Sequence, residues 1–123
     1  MDRNRLFINF SNHPSCHWGD DQRTAAERYG EISDLPFPAV DEQSSEEDIS
    51  QLADRYVAAI KSMGEAGSLT VHVMGEMTFT FAVVKRLKDL GIRCVASTSE
   101  RRTTYTVDGI KMSEFSFVKF REY

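Results

Sequence analysis

This 123-residue chain is poor in cysteine, in long apolar runs and in surplus positive charge, and each shortage excludes a class of protein. Two cysteines, Cys16 and Cys94, cannot build a disulfide framework, which suits a reducing cytoplasm. No apolar run approaches the ~18 residues of a membrane span. The opening "MDRNRLFINF" enters an apolar run without a signal-peptide pattern, so a cytoplasmic location and no membrane partner are expected. Fifteen Lys and Arg against nineteen Asp and Glu leave a net charge of -4. Sequence-independent binding to long nucleic acid needs the opposite balance, whereas a small phosphate ligand needs only a local basic patch. The Gly-rich dinucleotide fingerprint, the P-loop, the Gly-x-Ser-x-Gly elbow and an ordered Ser-His-Asp set are all missing.

A hydrophobic content of 41% and a charged content of 28% describe an ordinary globular chain, long enough for one core and one domain over residues 1–123. Leu6-Phe7-Ile8-Asn9-Phe10 reads as a strand buried on both faces. Residues 19–29 open with two acids and turn alanine-rich, a helix that Gly30 ends. A short strand at 31–35 precedes two prolines. Ser45 with Asp48 then forms a capping-box variant ahead of a helix whose apolar residues are Ile49, Leu52, Tyr56, Ile60 and Met63. "SLTVHVMG" is a third strand, "EMTFTFAVVKRLKDL" a helix stopped by Gly91, and "IRCVAST" a fourth strand. In the tail, Asp108-Gly109 sits between two alternating segments, a hairpin signal. The order predicts a Rossmann-like α/β domain: a four-stranded parallel core sheet flanked by helices, with a C-terminal antiparallel hairpin extending one edge.

In such sheets ligands bind beyond the carboxyl ends of the strands. Three strand ends then meet in one cleft: Ser11, Asn12, His13, His17 and Trp18 after the first, Gly75, Glu76 and Thr78 after the third, and Ser97, Thr98, Ser99, Arg101 and Arg102 after the fourth. Each has a plain and a chemical reading. His13 is a polar loop residue or an acid–base catalyst. Asn12 and Pro14 make a turn, or present a ligand contact. Gly75 packs a helix against the sheet, or lets a phosphate approach. Glu76 favours its helix N-terminus, or serves as a base or nucleophile. Arg101 and Arg102 are solvated charges or a phosphate clamp. Trp18 is half-buried core or a platform for a base. His13, Cys16 and His17 invite a zinc site but lack a fourth ligand, since Cys94 falls mid-strand, and His72 reads as a satisfied strand residue. No metal is expected.

"FINFSNHPS", "GEISDLPFP", "VHVMGEMTFTFAVVKRLKDLGIRCVASTSER" and "FSFVKFREY" resemble the small, single-domain, CARF-like CRISPR-associated proteins of type III systems, including the ring nucleases. The resemblance implies a homodimer that binds a cyclic oligoadenylate, cyclic tetra-adenylate in the leading reading, and linearises it with neither metal nor cofactor. On that reading His13 is the base or acid, and Arg101 or Arg102 stabilises the phosphoryl oxygens. Ser11, Asn12, Trp18, Gly75, Glu76, Thr78, Thr98 and Ser99 place the ring, and the ribose 2′-hydroxyl is held in line with its phosphorus. The alternatives are a non-catalytic sensor or sponge for the same ligand, and a Rossmann-like glycosyl-transfer enzyme acting on nucleosides or nucleotides through Glu76.

Overall fold

The computed structural model describes residues 4–123. Its elements are β1 (Leu6–Ser11), α1 (Asp20–Glu27), β2 (Glu31–Asp34), α2 (Glu46–Lys61), β3 (Leu69–Met74), α3 (Met77–Asp89), β4 (Arg93–Tyr105) and β5 (Lys111–Glu122), with short 3₁₀ turns at Ser15–His17 and Ala66–Ser68. One sheet has the order β2-β1-β3-β4-β5. The β1–β2, β1–β3 and β3–β4 pairs are parallel, and β4–β5 is antiparallel.

The expected four-stranded parallel core with an added hairpin needs correction. The sheet has five strands and is mixed, because the fourth parallel strand and the first arm of the hairpin are one continuous 13-residue strand, β4. Its parallel pairing with β3 covers only Thr70↔Arg93 to His72↔Val95, while its antiparallel pairing with β5 runs from Val95↔Glu122 to Tyr105↔Lys111. Residues 97–102, expected to leave the sheet as a strand-end loop, are therefore mid-strand. The physical reason is backbone pairing: β5 supplies a hydrogen-bonding edge for β4 from Val95 to Tyr105, so polar residues there do not force a loop. A bulge between Thr98 and Ser99 marks where the sheet gives way to a two-stranded ribbon. Helices flank only the inner part of the sheet.

Strand alternation divides the apolar side chains between two cores. Ile8 and Phe10 of β1, with Val71 and Val73 of β3, face Ile60 of α2 and Phe79, Val83 and Leu87 of α3. Phe7, Val95 and Phe120 face the opposite way, against Ala26 of α1, with Trp18 and Tyr29 packed at their edge. The capping box starts α2: Ser45 Oγ accepts the Asp48 N–H at 3.1 Å, and Asp48 Oδ2 accepts the Ser45 N–H at 3.0 Å. Gly109 (φ +80°) closes the β4–β5 turn in a conformation that L side chains rarely adopt.

Gly75 owes its identity to packing. A Cβ built there falls 2.3 Å from the Phe37 ring, which crosses the β3–α3 turn. Gly75→Ala is expected to push that ring off Phe10 and Phe79 and to cost roughly 1–3 kcal/mol. A urea titration of the variant checks this.

Candidate functional site

The α1 side of the sheet is not wholly apolar. Asp34, Asn9, His72 and Ser97 form a polar row from β2 through β1 and β3 to β4. The pairing register places Asn9 opposite both Asp34 and His72, and His72 opposite Val95, two residues before Ser97. Each point along the row is hydrogen-bonded. Asn9 Nδ2 donates to Asp34 Oδ1 at 2.9 Å and to the His13 carbonyl at 2.9 Å. Both of those groups only accept, which fixes the amide orientation and leaves Asn9 Oδ1 as the acceptor. That oxygen takes the Ser11 hydroxyl proton at 2.7 Å and lies 2.9 Å from His72 Nδ1.

The network therefore settles the tautomer of His72. Its proton is on Nδ1, and the Nε2 lone pair faces Ser97 Oγ at 3.3 Å. The Ser97 hydroxyl has a second neighbour, Met74 Sδ at 3.0 Å. A thioether is the weaker acceptor of the two.

His72 is 1% exposed, and Phe120, Trp18 and Phe7 surround its ring at centroid distances of 5.3, 5.8 and 6.2 Å. Burial among those rings, and secondarily the charge of nearby His13, hold its pKa down at about 4. His72 is a neutral imidazole at pH 7.

A cleft of about 430 Å³ opens above this row. His13, His17 and His72 line it together with Trp18 and Gln22, the hydroxyl residues Ser97, Thr98 and Ser99, and the rings of Phe115 and Phe117. All three histidines of the chain meet there, and among the described residues no carboxylate lines the cleft. The loop after β1 carries His13 and His17 to the rim and is anchored from below. Asp34 Oδ2 accepts the Ser15 hydroxyl at 2.9 Å, and Arg23 Nη2 donates to the Ser15 carbonyl at 2.7 Å. This answers why the first strand runs out into polar groups: Ser11 and Ser15 tie the loop down, and the imidazoles between and beyond them are presented to the cleft.

Six of the residues expected in the cleft, His13, His17, Trp18, Ser97, Thr98 and Ser99, line it. Ser11 is buried beneath it, held on Asn9, and Asn12 is exposed outside the lining. Gly75, Glu76 and Thr78 also lie outside the lining. Glu76 is the N-cap of α3: its carboxylate accepts the Phe79 N–H at 2.8 Å and the Thr78 hydroxyl at 2.7 Å. These two bonds, led by the Phe79 N–H, hold its pKa below the usual carboxylate value. Arg101 and Arg102 are exposed on the ribbon. Arg101 Nη2 contacts Ser113 Oγ at 3.3 Å, and Arg102 Nη2 lies 3.8 Å from Glu100 Oε2. Register puts Arg101 opposite Phe115, on the cleft side of the ribbon, and Arg102 on the reverse side.

Asn9, His72, Gln22, Phe115 and Phe117 were not among the expected site residues. A signal for the first two was available: Asn9 is the one polar residue of "LFINF" and His72 the one titratable residue of "TVHVM", and both occupy the phase that faces α1. Among the described residues no three His, Cys, Asp or Glu side chains come together as a metal-binding group, and no helix is long and apolar enough to cross a membrane.

Residues 5–121 match the uncharacterized protein MJ1673 family, and the chain belongs to that family. No curated protein matches the sequence.

Proposed function

We propose that this member of the MJ1673 family is a metal-independent ring nuclease: it binds a cyclic oligoadenylate and opens one phosphodiester bond. Such a protein would switch off the second-messenger signal of type III CRISPR defence. The observation that carries the reading is one cleft with three imidazoles, aromatic walls, a row of hydroxyls and no lining carboxylate. Aromatic faces suit stacked bases, each worth ~1–3 kcal/mol. Hydroxyls and imidazoles suit phosphoryl oxygens. His13, exposed at the rim, is placed to give a proton to a leaving oxygen.

At about 430 Å³ the cleft lies near the small end of the ~300–1,000 Å³ range of ligand sites, which matches a nucleotide unit better than a whole ring. A ring would then be shared by the clefts of two copies, as isologous symmetry allows. Binding without cleavage is the second reading, favoured by the position of both arginines outside the cleft lining. Glu76, the residue on which the glycosyl-transfer reading depends, engages its own helix and lies outside that lining.

Incubation with cyclic tetra-adenylate and a chelator, followed by chromatography, tests the proposal. Linear products are expected, with turnover falling more than affinity in His13→Ala. A ring that stays intact but tightly bound makes the protein a sponge. An intact, unbound ring overturns the reading.

A further inference from the structure

A hydroxyl, an imidazole and an amide stand in line at the cleft floor, and the proposed function uses the first two only as contacts to phosphoryl oxygens and the amide not at all. Ser97 Oγ is 3.3 Å from His72 Nε2, His72 Nδ1 is 2.9 Å from Asn9 Oδ1, and Asn9 Nδ2 is 2.9 Å from Asp34 Oδ1. A nucleophile within hydrogen-bond reach of a base, with a third group orienting that base, is the signature of covalent catalysis, and the first contact is commonly loose without substrate. The parts differ in exposure as the task requires. Asn9 and His72 are each 1% exposed, while Ser97 is partly exposed and lines the cleft.

The geometry points to Ser97 as a nucleophilic serine, with His72 as its base and Asn9 as the residue that holds the base in its productive tautomer. For its substrate this rests on the function proposed above, and the electrophile is then the phosphorus of the bound phosphodiester. Ser97 Oγ forms a bond to phosphorus as its proton passes to His72 Nε2. The bond from phosphorus to one ester oxygen breaks, and that oxygen leaves with the electron pair and takes the proton from His72 Nε2, which frees Nε2 for the second step. Water then attacks the phosphoseryl diester, giving its proton to Nε2, and Ser97 leaves with a proton restored. The net reaction is hydrolysis. It ends in a free hydroxyl and a phosphate monoester. Attack by a ribose 2′-hydroxyl would instead leave a 2′,3′-cyclic phosphate, so the products separate the two routes.

Imidazole and serine are suited to each other here because the base is already deprotonated. The groups around His72 are Asn9 on β1, Ser97 on β4, and Phe7, Trp18 and Phe120. The titratable groups near it are His13 and His17 at the rim and Asp34 beyond Asn9.

A fluorophosphonate probe reads this without any nucleotide, so its result stands whether or not a ring is cut. Intact-mass and peptide mapping are expected to find one adduct, on Ser97, absent in Ser97→Ala. Removing the base in His72→Gln is expected to slow labelling about 100-fold. Between pH 5.5 and 8 the wild-type labelling rate is expected to stay level, because His72 has no proton to lose there. A variant that fails to fold is replaced by Ser97→Cys, whose introduced thiol is expected to react with iodoacetamide faster than Cys16 does. No adduct on Ser97, undiminished labelling in His72→Gln, or an introduced thiol no faster than Cys16 overturns the assignment. So do 2′,3′-cyclic phosphate products wherever the ring is cut.

Discussion

Taking the protein from pH 7 to pH 4 is expected to cost about 3 kcal/mol of stability through His72 alone. The imidazole is buried with its pKa held near 4, whereas in the unfolded chain it titrates near 6.5. Between those values the unfolded chain binds a proton that the folded protein refuses, so each pH unit lost favours unfolding by ~1.4 kcal/mol. Above pH 6.5 both states are neutral at this residue and the effect vanishes. Below pH 4 both are charged and it grows no further. Glu76 acts in the same direction but in a lower window, since a carboxylate held below 4.5 loses its stabilisation only as pH falls through its folded value. Urea titrations at pH 7, 6, 5 and 4 measure the slope. Wild type is expected to lose stability steadily from pH 6.5 to 4, and His72→Gln, starting lower, to lose about 3 kcal/mol less over that range. Parallel slopes in the two proteins would place the acid sensitivity in other groups.

Much of the secondary structure is written in short-range patterns. The β-branched run of β3, the capping box of α2, Gly91 after α3 and the Asp108-Gly109 turn all act within a few residues. Sheet architecture was less legible at β4, because whether residues 97–102 stay in a strand depends on β5, whose paired residues lie 12 to 23 positions further on. No local propensity reports that pairing. Among the site residues, His13, His17 and Trp18 line the cleft from beyond the end of β1, as the strand-end rule expects, whereas Ser97, Thr98 and Ser99 line it from within β4. Gly75 and Glu76 illustrate the opposite case. They look like ligand-binding residues in isolation, and their geometry is accounted for by a ring crossing a turn and by the cap of α3. His72 was the least legible. A histidine amid Val71 and Val73 reads as core, and only its register with Asn9 turns it into one member of a hydrogen-bonded row.

Asn9 is the residue on which the row depends, and Asn9→Leu, which matches its branched shape, is expected to cost roughly 3 kcal/mol. Leucine keeps the branching at Cγ but removes both the acceptor for His72 Nδ1 and the donor to Asp34 and the His13 carbonyl. Those losses are unequal. Asp34 keeps the Ser15 hydroxyl and has access to water, and the Ser11 hydroxyl has the His13 carbonyl within 3.3 Å. Among the described residues the Nδ1–H of His72 has no second acceptor. A buried donor left without a partner costs ~1–3 kcal/mol, and the lost bond to a carboxylate adds about 1.5–3 kcal/mol at most, reduced here by the exposure of Asp34. The imidazole can lower its share by moving its proton to Nε2 and donating to Ser97, but that removes the lone pair that faces the serine. The variant therefore separates packing from chemistry. Long-range nitrogen-15 spectra are expected to show the Nδ1–H tautomer in wild type and the Nε2–H tautomer in Asn9→Leu, with Ser97 labelling lost in parallel. If the variant keeps the wild-type tautomer and labels at the wild-type rate, Asn9 is packing alone.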